Sequence, residues 1–114
     1  LNANNNQKNG IAIDSSKVNN FTNINANNNG GTGIILSKVN SANFGSINAN
    51  NNDTGLYFVN SSDIVANSVN VAGNKLGVDV RNVENINLQN ATINNNDTEI
   101  NIDDNSLSEF NLFN

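Results

Sequence analysis

The apolar positions of this chain fall in a register that repeats every 22 or 23 residues. The register is anchored on Gly10, Gly33, Gly55 and Gly77, with Glu99 in the fifth place. One residue after each anchor stand Ile11, Ile34, Leu56, Val78 and Ile100; three after it stand Ile13, Leu36, Phe58, Val80 and Ile102. The residue between is free to vary: Ala12, Ile35, Tyr57, Asp79, Asn101. Alternation of period two predicts a strand with one buried face. Further inward columns follow: Phe21, Phe44, Ala66, Leu88 and Phe110, with a weaker one of Asn19, Ala42, Ile64, Ile86 and Ser108. Next come Ile24, Ile47, Val69, Ala91 and Phe113, then Ala26, Ala49, Val71 and Ile93. Each repeat therefore predicts three short strands joined by turns rich in Asn, Ser, Asp and Gly.

The repeats are phased by the strings Leu1–Asn6, Ile24–Asn29 and Ile47–Asn52, continued in degenerate form by Val69–Asn74 and Ala91–Asn96. From each Gly to the Asn closing the next run is always 19 residues, so the change of length falls only between Asn and Gly. A strand cannot gain a residue without turning its faces over, so that segment is a turn. One repeat cannot bury its apolar face alone. Coiling the chain lets each strand pair with its equivalent one repeat away, at roughly 4.8 Å. The expected fold is an all-β parallel β-helix (β-solenoid), right-handed, since a triangular left-handed coil is shorter. It forms a single domain over residues 1–114, in five coils: 1–23, 24–46, 47–68, 69–90 and 91–114.

One column is Asn in every coil: Asn6, Asn29, Asn52, Asn74 and Asn96. Amides stacked at strand spacing form a ladder, each donating to one neighbour and accepting from the other. Asn also tolerates the left-handed backbone of a tight turn, which the ladder positions are expected to adopt. The segment Ile24–Asn29 through Gly33–Leu36, and its counterparts in the other coils, resembles the parallel β-helix repeat of pectate-lyase-like proteins. That resemblance implies the right-handed β-helix. It leaves activity open, since such folds serve lyases, hydrolases, epimerases, tailspikes and surface proteins.

Composition narrows the chemistry. The chain has no Cys, Pro, Met, Trp or His, and a net charge of −5. Without Cys and His there is neither a thiolate metal site nor the commonest general base. An acidic chain lacks the basic footprint that nucleic acid demands. No apolar run is long enough for a membrane helix, so no membrane insertion is expected. Asn makes up 33 of the 114 residues. Such bias often means disorder, but Leu, Ile, Val and Phe add 32 residues, and these stand in strict columns.

No catalytic, metal or cofactor site is expected, and the chain reads as a non-enzyme. The one outward charged cluster beside a basic residue is Asp79, Arg81, Asp103 and Asp104, read as a cross-strand pair of Arg81 with Asp103. Ile35, Tyr57 and Val59 form a candidate lateral contact. Asn60 and Asn90 are the better of five sequons as glycosylation sites, because Asn52 and Asn96 sit in the ladder. The Asn-x-Asn array of Asn2, Asn4, Asn25, Asn27, Asn48 and Asn50 invites an ice-binding reading.

Neither end is expected to carry a capping helix or a charged capping coil. Leu1 and Phe113 fall in one column, so copies stacked end to end would meet through Leu1, Ala3, Phe110, Leu112 and Phe113. A chain opening on Leu1 is expected to be processed, excised or part of something longer. The expected function is structural and extracellular or at the cell surface. The chain is then a subunit of an end-to-end filament, or a stalk segment of an adhesin continuing the same solenoid. A carbohydrate-binding or carbohydrate-active β-helix, with surface glycans as partners, is the alternative.

Overall fold

The computed structural model describes residues 1–114, with the side chains of Val18 and Asn19 left out. The weak inward place expected of Asn19 therefore lies outside the described residues. The chain winds into a parallel β-solenoid of five coils, with extents of 30 × 25 × 23 Å.

The strand after each anchor builds one parallel sheet. It runs β1 (Ile11–Asp14), β3 (Thr32–Ser37), β5 (Thr54–Val59), β8 (Leu76–Arg81) and β11 (Thr98–Ile102), in that order. Its register stacks Ile11 on Ile34, Ile34 on Leu56, Leu56 on Val78 and Val78 on Ile100. The second and third predicted strands share one larger sheet. In the first two coils they run together as β2 (Lys17–Asn25) and β4 (Asn40–Asn48). In the next two they separate, as β6 (Ser62–Ala66) and β7 (Val69–Ala72), then β9 (Glu84–Leu88) and β10 (Ala91–Asn94). Asn90, left-handed at φ 47°, makes the break in the fourth coil. The fifth coil adds β12 (Phe110–Leu112) on β9.

The inward columns close one apolar core between the sheets, with Ile34, Leu36, Phe44, Ile47, Leu56, Phe58, Ile64, Ile86 and Leu88 buried. Phe21 stacks on Phe44 with ring centroids 5.0 Å apart. A further column alternates Ser and Val: Ser16, Val39, Ser61, Val83, Ser106. The Val39 amide donates to Ser61 Oγ and the Val83 amide to Ser106 Oγ, both at 3.1 Å. Each hydroxyl thereby serves a backbone group that would otherwise be buried without a partner.

The corners are made by residues at positive φ. One column is Asn5, Asn28, Asn51, Gly73 and Asn95, at φ 57–72°. These stand immediately before the ladder residues, so the left-handed place expected of the ladder Asn belongs to its predecessor. A second column is Ser15, Lys38, Asn60 and Asn82, at φ 52–58°.

The fifth coil keeps the expected register through Ile102 and departs from it afterwards. A 3₁₀ turn at Asp104–Ser106 lengthens its corner by two residues. Phe110 therefore stacks on Ile86, and Leu112 on Leu88. Leu112, not Phe110, completes the column of Phe21, Phe44, Ala66 and Leu88, and Phe110 takes the place expected of Ser108. Phe113 is not in the Ile24 column either. Its carbonyl accepts the Ala91 amide at 2.8 Å, as the Asn90 carbonyl accepts that of Val69, which puts Phe113 one place before the column.

Candidate functional site

The ladder joins all five coils by side-chain bonds except at the Asn52–Asn74 step, which the Asn52 backbone amide makes alone. Asn6 Nδ2 donates to Asn29 Oδ1 at 2.8 Å, Asn29 Nδ2 to Asn52 Oδ1 at 2.9 Å, and Asn74 Nδ2 to Asn96 Oδ1 at 2.9 Å. The backbone amide of each residue donates to the same oxygen: Asn6 at 3.0 Å, Asn29 at 2.9 Å, Asn52 at 2.7 Å and Asn74 at 2.9 Å. The amide nitrogen also reaches back to the preceding coil. Asn29 Nδ2 meets the Ala3 carbonyl at 3.0 Å, Asn52 Nδ2 that of Ala26 at 2.9 Å and Asn74 Nδ2 that of Ala49 at 3.0 Å. Asn29, Asn52 and Asn74 are buried, and a buried amide is tolerable only when satisfied in this way.

The glycine column exists because of this ladder. A Cβ on Gly33 would lie 2.7 Å from Asn52 Nδ2 and 2.8 Å from the Gly55 carbonyl. Gly10, Gly55 and Gly77 face the same two groups of the coil that follows. Glu99 stands where the pattern asks for Gly. Its Oε1 accepts from Asn96 Nδ2 at 2.8 Å and from the Asn96 amide at 3.1 Å. The carboxylate thus supplies the acceptor that a further ladder Asn would supply.

Outward Asn side chains also bond along the solenoid. Asn25 Nδ2 donates to Asn2 Oδ1 and Asn48 Nδ2 to Asn25 Oδ1, both at 2.8 Å, and the Asn50 amide donates to Asn27 Oδ1 at 3.0 Å.

The charged cluster differs from expectation. Arg81 Nη2 pairs with Asp79 Oδ2 at 3.2 Å, not with Asp103. The guanidinium lies over the Tyr57 ring, 5.6 Å from its centroid, which turns it back along its own strand. Asn101 Nδ2 adds a bond to Asp79 Oδ1 at 3.2 Å. Asp103 faces the corner, where Oδ2 accepts the Asn82 amide at 3.0 Å. The Ser106 hydroxyl, ahead of the Asn82 amide, holds the Asp103 carboxyl below the ordinary carboxylate range, against an opposing effect of burial.

Ile35, Tyr57 and Val59 are adjacent and half-buried. Arg81 covers part of the Tyr57 face, so the apolar patch is narrower than the register implies. Asn60 is exposed, and its Oδ1 accepts from Asn82 Nδ2 at 2.8 Å. It borders a shallow groove of about 230 Å³ with Asn40, Ser61, Ser62, Asn82 and Glu84. Asn90 is exposed too, with Nδ2 on the Asn67 carbonyl at 2.9 Å. Among the described residues no three His, Cys, Asp or Glu side chains come together to hold a metal, and no helix is long and apolar enough to cross a membrane.

The large exposed apolar side chains are Leu1 (67 %), Leu107 (58 %), Phe113 (46 %) and Leu112 (39 %), all in the first or last coil. Ala3 and Phe110 are half-buried, with Phe110 6.1 Å from the Phe58 ring. The ends also differ in charge, contrary to expectation. The fifth coil carries Asp97, Glu99, Asp103, Asp104 and Glu109 with no basic residue, whereas the first carries Lys8 and Lys17 against Asp14. Reading the columns missed Glu99, Ser106 and Leu107. The lone non-glycine in an anchor column was the signal for Glu99.

Set against known protein families, curated proteins and solved structures, the chain matches no family model, no protein and no structure at a significant level.

Proposed function

We propose that this chain is a structural β-solenoid of a cell-surface or extracellular protein, a non-enzymatic rod whose working contacts are its end coils. Those contacts take another copy in a filament, or further coils of the same solenoid in an adhesin-like stalk. One observation carries this reading: the solenoid's flanks are tied up in hydrogen bonds between their own coils, whereas the large exposed apolar side chains stand at the two ends. Surface that bonds to itself resists lateral partners, and apolar surface left at an end seeks one. The repeat's similarity to pectate-lyase-like β-helices supports a place among their structural members.

The test is sedimentation velocity with negative-stain electron microscopy over a hundredfold range of concentration. Thin rods that lengthen with concentration support the filament form. Discrete monomers throughout leave only the stalk form.

A second reading rests on the Tyr57 ring with Arg81, Asp79 and Asn101 on one flat sheet. The part of the Tyr57 face that Arg81 leaves open, flanked by polar groups, suits a sugar. Binding on a glycan array that disappears in Tyr57→Ala would establish it.

A further inference from the structure

The anchor column holds Gly10, Gly33, Gly55 and Gly77, and then Glu99. At each glycine the following coil places a carbonyl oxygen and a ladder amide where a Cβ would go. At Gly77 these are the Glu99 carbonyl at 2.5 Å and Asn96 Nδ2 at 2.9 Å. A coil laid in register on the fifth would bring its own carbonyl and ladder amide against the Glu99 Cβ in the same way. Its ladder oxygen would also seek the Asn96 amide and Nδ2, both of which now donate to Glu99 Oε1. Glu99 therefore opposes a sixth coil twice, by bulk and by holding the acceptor place.

The first coil has the matching pieces. Asn6 spends its nitrogen and its backbone amide on Asn29 Oδ1, and its own oxygen faces away from the solenoid as the next acceptor in the series. Lys8 lies in the turn between Asn6 and Gly10, the turn that would cover Asn96 to Glu99. The same turn already pairs opposite charges between neighbouring coils, with Lys75 Nζ 3.7 Å from Asp53 Oδ1. The fifth coil is acidic and the first is not.

We infer that Glu99 is the gate to head-to-tail association with a second copy of this chain. The Asn6 side-chain oxygen of the incoming copy displaces the Glu99 carboxylate from Asn96, and the released carboxylate is received by the incoming Lys8. This inference rests on the structural reading above and adds the residue that sets its threshold.

The experiment measures the concentration at which purified chains associate, by sedimentation velocity, for the wild type, Glu99→Gly, Glu99→Ala and Glu99→Gln. Circular dichroism confirms that each is folded. Glu99→Gly restores the column glycine and is expected to lower the threshold at least tenfold. Glu99→Ala, which keeps a Cβ, lowers it less. Glu99→Gln keeps both the bulk and an acceptor and stays near the wild type. Adding Asn6→Leu to Glu99→Gly removes the incoming oxygen and reverses the gain. If the wild type associates and neither Glu99→Gly nor Glu99→Ala changes its threshold, the gate is overturned and the filament reading stands. If Glu99→Gly associates and the wild type does not, the gate stands and the wild type is no filament subunit. If no folded variant associates, both are overturned. Glu99→Ala carries the same comparison should Glu99→Gly fail to fold.

Discussion

Asn52 Oδ1 receives two hydrogen bonds from one residue: the backbone amide and the side-chain amide of Asn29, each at 2.9 Å. The Asn52 nitrogen then reaches the Ala26 carbonyl on the Asn29 side of the ladder. One buried side chain thus satisfies three groups of its neighbour's coil, and Asn74 serves two groups of the coil before it in the same way. The ladder behaves as a spine whose interior members cannot be removed singly at low cost.

Asn52→Ala leaves the Asn29 backbone amide and the Ala26 carbonyl without partners in a buried place, and takes from Asn29 Nδ2 one of its two acceptors. Unsatisfied buried polar groups cost roughly 1–3 kcal/mol each, so a loss of about 3 kcal/mol or more is expected in urea unfolding. Asn6→Ala, at the exposed end, is expected to cost less than ~1 kcal/mol. Equal losses at the two positions would refute the spine.

Gly55→Ala places a methyl group 2.6 Å from the Gly77 carbonyl, 2.7 Å from Val71 Cγ1 and 2.9 Å from Asn74 Nδ2. Backbone and ladder must both shift, at a cost of ~1–3 kcal/mol, typical of overpacking. A variant as stable as the wild type in thermal melting would show that the corner yields freely.

Phe44 is buried at the middle of its column and stacked on Phe21. Phe44→Ala is expected to lose ~3–5 kcal/mol, since the sheets on either side cannot collapse into the space. Phe113→Ala, in the exposed end, should change stability little. Chemical denaturation of the pair tests the contrast.

The depressed pKa of Asp103 has a pH consequence of definite sign. A carboxyl whose folded value lies below its unfolded value of about 3.9 stabilises the fold above that value. The contribution is lost as pH falls through the folded value. Asp103→Asn should therefore lower stability at neutral pH and narrow the gap to wild type in strong acid. A gap that is the same at pH 7 and in strong acid would count against the Ser106 and Asn82 contacts.

Four coils of the fold were legible because two independent signals agree in them. The apolar columns alternate with period two, and the anchor glycine marks where each strand begins. In the fifth coil the columns held as far as Ile102, and only Phe110, by two places, and Phe113, by one, were misread, because the run from Asp103 to Ser108 has no glycine and only one apolar residue to fix its phase. The left-handed corner was placed one residue late because three consecutive Asn residues look alike until the backbone is seen. The partner of Arg81 was misassigned for a different reason. Register names the neighbours of a side chain, but the Tyr57 ring decides which of them the guanidinium faces.

The Ser and Val column gives the solenoid a period longer than its coil. Ser61 and Ser106 each lend an oxygen to a valine amide in the coil before, so the unit that repeats chemically along that edge is a pair of coils. Excising one coil would set Ser upon Ser or Val upon Val, and where Val meets Val the valine amide loses its acceptor. Excising two would restore the alternation. Shortened or lengthened versions of this rod should therefore fold best in steps of two coils.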